Sequence, residues 1–291
     1  MQPGVCSSPR CPSASDSFPL SHLDPAECGS ETSVDQQKQE RAEFSTMSSV
    51  VSFYFSYLLC LCLGFVCVAC VCYWNSQWRG GFAWDGSTLQ FNWHPVLMVS
   101  GLVVLYGYGA VLYRVPLTWG QNKLPWKLLH AGVMLLCLVL SVLGLCAVFN
   151  FHNAKHTPNL YSLHSWIGIC TTALFAMQWA VGVAGFLLPC SPMALRKLLK
   201  PVHVWMGASI LSLSIVACIS GINEKLFFVL RGNTTQAYAS LPSEALFGNS
   251  LGVLLVVFGL VVLMILSNQK WQRPESRPED MTYRPLLQED N

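Results

Sequence analysis

Six long apolar stretches without Asp, Glu, Lys or Arg determine most of what this chain can fold into. They cover about residues 51–72, 94–113, 128–149, 163–187, 203–222 and 248–267. Each is close to the roughly 20 residues that a helix needs to cross a bilayer. Since an unpaired charge in lipid costs about 3 kcal/mol or more, these stretches predict an all-α membrane protein with six transmembrane helices, numbered here as spans 1 to 6.

Composition supports a membrane protein and argues against other classes. Only 11% of the 291 residues are charged, against roughly 25% in soluble domains. A net charge of +2 provides no basic face for phosphates, so we expect no nucleic-acid partner. Most of the 13 cysteines lie in apolar stretches, where they act as small hydrophobic side chains. No CxxCH motif is present to tether a haem covalently.

Basic residues in short loops predict the orientation of the spans. The loops after spans 2 and 4 contain the following cations: Arg114, Lys123, Lys127, Arg196, Lys197 and Lys200. Because cytoplasmic loops are enriched in Lys and Arg, both loops and both termini are predicted to be cytoplasmic. The sequon at Asn233 then lies in a loop on the other side, where it could be glycosylated.

The chain divides into three parts. Residues 1–46 are rich in Ser, Pro, Gln and acids and have no apolar run, which predicts a disordered cytoplasmic extension. Residues 47–270 form the six-helix domain, and residues 271–291 a cytoplasmic tail.

Four histidines lie at the starts of four successive spans. His94 and His164 begin helices that enter from the outer face, and His130 and His203 begin helices that enter from the cytoplasm. Alternating span direction therefore sorts them into two pairs at two depths. Two imidazoles on facing helices can fill both axial positions of a haem iron, which predicts two b-type haems and electron transfer.

Two other functions are compatible with parts of this pattern. A single histidine near a helix end is more often hydrogen-bonded than metal-bound. Histidines that bind metal or relay protons would indicate a haem-free transporter. Such relays usually include carboxylates or other polar groups at intermediate depth, which we expect the spans to lack. A cysteine-rich scaffold organised by span 1 would leave the two-depth arrangement of the histidines as coincidence.

The residues around these histidines resemble the cytochrome b561 family of ascorbate-dependent transmembrane oxidoreductases. The resemblance covers about residues 50–270 and is carried by these segments: Asn92-Trp93-His94-Pro95-Val96-Leu97-Met98, Lys127-Leu128-Leu129-His130, Tyr161-Ser162-Leu163-His164-Ser165-Trp166 and Pro201-Val202-His203-Val204-Trp205. It implies six helices, the middle four holding two bis-histidine haems, with His94 and His164 at the outer haem and His130 and His203 at the cytoplasmic haem.

The resemblance also implies the substrates. Cytoplasmic ascorbate would donate electrons, and we expect Lys123, Lys127, Arg196 and Lys200 to bind this anion. The same cations also enforce orientation, so their role in binding stays open. At the outer face His152 and Tyr161 match positions beside the acceptor site. The implied acceptor is a ferric chelate, which would be reduced to the ferrous state, or alternatively monodehydroascorbate.

The tail contains Tyr283-Arg284-Pro285-Leu286, which resembles a signal read by sorting adaptors. Together with the resemblance to lysosomal members of the family, Tyr283 and Leu286 predict a late endosomal or lysosomal membrane location. The apolar faces of spans 1 and 6 suit either lipid or a second copy in a homodimer, and the sequence does not decide between them.

Overall fold

A computed structural model describes residues 25–232 and 236–273, with side chains from residue 36 onward. It separates two units, residues 1–48 and residues 49–291. Asn233, Tyr283 and Leu286 lie outside the described residues, so the predicted glycosylation and sorting sites have no structural description.

The first unit differs from the sequence prediction. The sequence predicts disorder for residues 1–46, whereas residues 25–46 are helical, within helix α1 (Pro25–Arg79). Gln, Glu, Lys and Ala are good helix formers. Gln39 Nε2 also donates to Glu43 Oε1 over 3.2 Å, one helical turn away. Local propensity thus favours a helix here, and its side chains over residues 36–46 are exposed. Residues 1–24 lie outside the described part of the chain.

The six predicted spans are confirmed as six helical segments long and apolar enough to cross a membrane. Their bounds are Gln36–Arg79 within α1, Thr88–Arg114, Lys123–Ala154 (α5), Leu163–Phe186 (α6), Met193–Val229 (α7) and Ser243–Ser267 (α8). Several extend beyond the predicted apolar stretches because their polar flanking residues continue the helix outside the hydrocarbon.

Span 2 is not one uniform α-helix. It consists of α2 (Thr88–Phe91), α3 (Trp93–Met98), a π-helical segment (Val99–Leu105), α4 (Tyr106–Val111) and a 3₁₀ turn (Leu112–Arg114). A π-helical segment changes which face the following residues present, and such segments are common near functional sites. Here it separates His94 from the part of span 2 that contacts His130.

Hydrogen bonds identify which helix ends lie together. At one end Arg114 donates to the carbonyls of Leu266 and Asn268, where α8 ends, and Lys127 Nζ donates to Phe186 O at the end of α6, over 3.3 Å. We call this the basic end, since it holds the cations of the loops after spans 2 and 4. At the opposite end Trp74 and Arg79 of α1 donate to Glu244 in the first turn of α8.

The apolar core lies mainly between span 2, α1, α7 and α8. Phe53, Val103, Ile210 and Phe258 are fully buried there. By contrast, α5 leaves a row of large apolar side chains exposed: Leu128, Leu135, Leu136, Val139, Val142 and Leu143. An exposed apolar face on a helix of this length is what lipid contact requires.

Candidate functional site

Two pairs of histidines face each other within the bundle, one pair near each end. Near the opposite end, the rings of His94 in span 2 and His164 in α6 have centroids 6.0 Å apart. Near the basic end, the rings of His130 in α5 and His203 in α7 have centroids 6.3 Å apart. The structure thus brings together the residues that alternating span direction pairs in the sequence. All four side chains are partly buried.

Three of these imidazoles are held through Nδ1. Nδ1 of His94 lies 3.1 Å from Gly144 O, that of His130 lies 2.9 Å from Gly109 O, and that of His164 lies 2.9 Å from Ala217 O. A carbonyl oxygen only accepts hydrogen bonds, so Nδ1 must carry the proton in each ring. The neutral ring then has its lone pair on Nε2, the atom available to a metal ion.

His203 is held differently. Its Nδ1 is buried and has no hydrogen-bond partner among the described residues. Its backbone carbonyl instead accepts a hydrogen bond from Gln178 Nε2 of α6, over 2.6 Å. Its ring packs against Phe186, with centroids 5.3 Å apart. Packing and a backbone contact therefore orient this imidazole.

Glycines allow one ring of each pair to lie close against the backbone of a neighbouring helix. A Cβ atom at Gly221 would lie 2.7 Å from Cε1 of His164, and one at Gly182 would lie 3.0 Å from Cε1 of His203. Real Cβ atoms essentially never come as close as 2.7 Å, and 3.0 Å is tighter than most real contacts, so a side chain at either position would press against the ring. Facing imidazoles, three of which have the Nε2 lone pair available, fit a bis-histidine metal macrocycle.

The predicted donor-site cations gather at the basic end. Lys127 and Arg196 both donate to carbonyls near the end of α6, Lys127 to Phe186 O and Arg196 to Leu188 O, the latter over 2.9 Å. Lys123 and Arg196 are both close enough to act electrostatically on Lys127. Because the ring of Phe186 packs on His203, this cationic cluster lies next to the basic-end pair.

The predicted acceptor residues lie together at the opposite end. His152 and Tyr161 have ring centroids 6.3 Å apart, and Nδ1 of His152 lies 3.2 Å from Asn159 Oδ1. The Tyr161 hydroxyl donates to Glu224 Oε1 of α7 over 2.9 Å. Partial burial, followed by this hydrogen bond, raises the pKa of Tyr161 to about 12. Tyr161 is therefore a neutral hydrogen-bond donor at physiological pH.

The loop between α5 and α6, which carries Tyr161, is strained. His156 and Leu160 adopt left-handed backbone conformations, with φ of 51° and 55°. Non-glycine residues in this region are uncommon, and they persist only where surrounding contacts hold them, often at functional sites. The hydrogen bond from Asn159 Nδ2 to Asn153 Oδ1, 2.9 Å long, is one such contact.

Comparison with known proteins agrees with this geometry. The model of the eukaryotic cytochrome b561 family matches residues 93–229, the range that contains all four histidines. The chain is 66% identical to the lysosomal membrane ascorbate-dependent ferrireductase of Danio rerio, over 82% of this chain and 98% of the relative. The chain belongs to the cytochrome b561 family.

Other relatives extend the comparison. The Homo sapiens lysosomal membrane ascorbate-dependent ferrireductase is 60% identical, over 81% of this chain and 96% of its own length. The plasma membrane ascorbate-dependent reductase of Xenopus laevis is 44% identical, over 75% of this chain and 76% of its own length. Membership of the cytochrome b561 family implies binding of haem b, which the two imidazole pairs fit.

Sequence reasoning missed the residues that support the histidines. It considered the spans to lack polar steps at intermediate depth, but Gln178 of α6 is polar and holds the His203 carbonyl. A lone Gln in an apolar span was the available signal. Glu224 was also missed as a partner of Tyr161, since the two lie 63 residues apart.

Proposed function

We propose that this protein is an ascorbate-dependent ferric reductase that transfers electrons across a membrane. The observation that carries this proposal is the pair of facing imidazoles near each end of one helical bundle. The names of the relatives, which include ascorbate-dependent ferrireductase, support the choice of donor and acceptor. In each cycle ascorbate loses one electron and one proton to become monodehydroascorbate, and one ferric ion becomes ferrous.

Two haem b groups would be held by the four histidines. His130 and His203 would ligate the haem at the basic end, and His94 and His164 the haem at the opposite end. When bound, the haems supply one-electron carriers on both sides of the low-dielectric interior. The carbonyls of Gly144, Gly109 and Ala217 fix three of the ligand tautomers and ring orientations.

The basic end is the proposed donor site. Ascorbate is a monoanion near neutral pH, so Lys123, Lys127, Arg196 and Lys200 would attract and bind it. Lys127 and Arg196 are anchored to carbonyls at the end of α6, which directs both cations to the side of the bundle that contains His203. A cationic cluster also raises the local concentration of an anionic substrate.

The opposite end is the proposed acceptor site. His152 has its Nδ1 engaged by Asn159 Oδ1, which leaves Nε2 free to accept a proton or contact a ligand. Tyr161 is half exposed beside it. Successive ring contacts connect Tyr161 through His152, Phe151 and Phe91 to His94, with centroid distances of 6.3, 5.8, 5.3 and 6.1 Å. A ferric chelate at Tyr161 would thus be in packed contact with the histidine pair.

The positive-inside rule makes the basic end and both termini cytoplasmic in this proposal. The names of the relatives support a lysosomal membrane. Within the proposed division of the chain, residues 47–270 form the di-haem domain, and residues 271–291 form a tail whose Tyr283 and Leu286 would bind a sorting adaptor. Asn233 would face the lumen.

A vesicle experiment tests the function and its direction. Purified protein is reconstituted into vesicles that contain ascorbate, ferric nitrilotriacetate is added outside, and ferrous iron is detected with an impermeant chelator. We expect ferrous iron only when the vesicles contain both protein and ascorbate. A colourless protein that moves protons or metal ions without reducing iron would instead support the haem-free transporter.

A further inference from the structure

We infer that Glu224 is a specificity-determining residue of the acceptor site, where its carboxylate coordinates the iron of a ferric chelate that has an open coordination position. The inference rests on the proposed function and deepens it. It begins from the contact between Glu224 Oε1 and the Tyr161 hydroxyl, 2.9 Å apart. Neither residue has another described hydrogen bond or ion pair.

The position of Glu224 suits a docking residue. It lies near the end of α7, one turn beyond the Ala217 to Gly221 stretch that contacts His164. Its carboxylate is partly exposed, so a solute can reach it. The Tyr161 hydroxyl donates a hydrogen bond to one oxygen of the Glu224 carboxylate. This bond holds the Glu224 side chain beside Tyr161, the outermost of the successive ring contacts that lead to His94.

The chemistry of the Glu224 carboxylate suits the iron of a ferric chelate. Carboxylate oxygen is a hard donor suited to highly charged cations. In the described part of the chain, no group of three or more His, Cys, Asp or Glu side chains could hold a bare metal ion. A chelate brings most of its own ligands and needs only one or two from the protein. His152, with its free Nε2, lies beside Tyr161 as a second contact for the chelate.

The neighbouring charges fit a chelate better than a simple anion. Arg231 is close enough to act electrostatically on Tyr161, and it can attract the surplus carboxylates of an iron chelate. Monodehydroascorbate is an anion without a metal centre, so Glu224 would repel it. Reduction adds one electron to the iron and lowers its charge by one unit. Its attraction to Glu224 then weakens, which favours release of the ferrous product.

Glu224→Gln separates this role from a structural one. Gln keeps an oxygen that can accept the Tyr161 hydrogen bond, but it removes the charge. Asp85→Asn is the matched control. It makes the same charge change in the loop between α1 and α2, where Asp85 Oδ1 accepts from the Ser87 backbone N–H over 2.9 Å. Tyr161→Phe is a second variant, which removes the hydroxyl that orients Glu224.

Full-length protein, loaded with haem and reduced by ascorbate, is mixed with ferric nitrilotriacetate, and reoxidation is followed by stopped-flow absorption. For Glu224→Gln we expect an about tenfold lower second-order rate constant, the loss that one coordinating contact represents. Ferricyanide has a saturated coordination sphere, so its rate should change by less than about twofold, within the effect of a weak surface charge. Asp85→Asn should change neither rate by more than about twofold.

A binding measurement without electron transfer completes the test. Gallium nitrilotriacetate is redox-inert, and calorimetry should show about tenfold weaker binding to Glu224→Gln than to the wild type or Asp85→Asn. Tyr161→Phe should weaken it about threefold, as expected for losing one orienting hydrogen bond. If Glu224→Gln loses haem, Tyr161→Phe tests the inference instead, through its reoxidation rate with ferric nitrilotriacetate and its affinity for gallium nitrilotriacetate.

Three results would overturn the inference. The first is an unchanged gallium affinity in Glu224→Gln, and the second is an unchanged rate with ferric nitrilotriacetate. The third is an equal loss with ferricyanide, which would make Glu224 a purely structural residue. Each leaves the proposed function standing. If reduced wild-type protein is oxidised by monodehydroascorbate but not by any ferric chelate, the proposed function itself fails.

Discussion

The two histidine pairs occupy opposite ends of the same bundle, but their rings are held in different ways. At the pair farther from the basic end, Nδ1 of both His94 and His164 is fixed by a backbone carbonyl. At the basic end only His130 is held in this way. His203 depends on Gln178, which binds its carbonyl, and on packing against Phe186.

This difference shows how ligands can be positioned where polar groups are scarce. Backbone carbonyls in a helix retain a second lone pair, so a ring N–H can bind one without breaking the helical hydrogen bond. His203 lies two residues after Pro201, inside α7. Proline cannot donate the usual helical hydrogen bond, and it distorts the preceding turn. Gln178 therefore adds a contact from a neighbouring helix just after the proline, where α7 lacks one of its own hydrogen bonds.

The largest expected effect distinguishes the two pairs directly. His164→Ala should reduce haem content from two per chain to about one, since one axial ligand holds haem poorly. Ascorbate should still reduce the haem that remains, while ferric reduction is lost. Haem is measured by the pyridine haemochrome spectrum, per chain.

His130→Ala is the mirror control. It should also remove about one haem, but the remaining haem should no longer be reduced rapidly by ascorbate. Unchanged haem content in His164→Ala would contradict the assignment of the ligands.

A second prediction concerns Gln178. Gln178→Leu should weaken haem retention at the basic end by about 10-fold to 100-fold, the usual effect of removing a group that orients a ligand. The other haem should be unaffected. Haem transfer to apomyoglobin, resolved by absorption, measures both sites in one sample.

The control for Gln178 lies on the same helix. The hydroxyl of Thr172 donates to Gly168 O within α6, over 3.0 Å, so Thr172→Val should leave retention at both sites unchanged. Equal haem loss from both sites in Gln178→Leu would mean that the two pairs do not differ as proposed.

A third and smaller effect tests the cationic cluster. Lys127→Gln should raise the KM for ascorbate about fivefold, which corresponds to about 1 kcal/mol for a partly exposed charge contact. The difference should shrink with added salt, because screening weakens such contacts. Lys155→Gln, at the opposite end, should leave this KM unchanged. A KM effect independent of salt would point to a packing role for Lys127.

The smallest expected effect depends on pH. The pKa of Tyr161 is raised to about 12 in the folded protein, above the roughly 10 of an unperturbed tyrosine. The stabilisation from its hydroxyl is therefore fully present below about pH 10 and is lost as the pH rises through 12. The thermal midpoints of wild type and Tyr161→Phe should keep a constant difference from pH 6 to pH 9. A difference that disappears below pH 9 would contradict the raised pKa.

Sequence reasoning predicted the residues whose type and position are informative by themselves. The six spans follow from uncharged length, and the pairing of His94 with His164 follows from alternating direction. It could not predict that Gly144, Gly109 and Ala217 supply hydrogen-bond acceptors, because every residue has a carbonyl. Which carbonyl faces a ring depends on helix rotation and, in span 2, on the π-helical segment at Val99–Leu105.

Contacts between residues far apart in the sequence could not be predicted from it either. The Tyr161 to Glu224 bond depends on how the loop before α6 folds over the end of α7, and that loop contains the left-handed residues His156 and Leu160. Local propensity does not predict such strained conformations, since other contacts stabilise them. The helix over residues 25–46 shows the converse, because composition suggested disorder where helix propensity was sufficient.

An absorption spectrum of the purified full-length protein, with haem quantified per chain, distinguishes a di-haem electron carrier from a haem-free protein. The spectrum is recorded as isolated, after ascorbate and after dithionite. We expect two low-spin haems per chain, of which ascorbate reduces a large part and dithionite the remainder. A preparation that remains colourless when expressed with ample haem, or one whose haem ascorbate does not reduce, would contradict it.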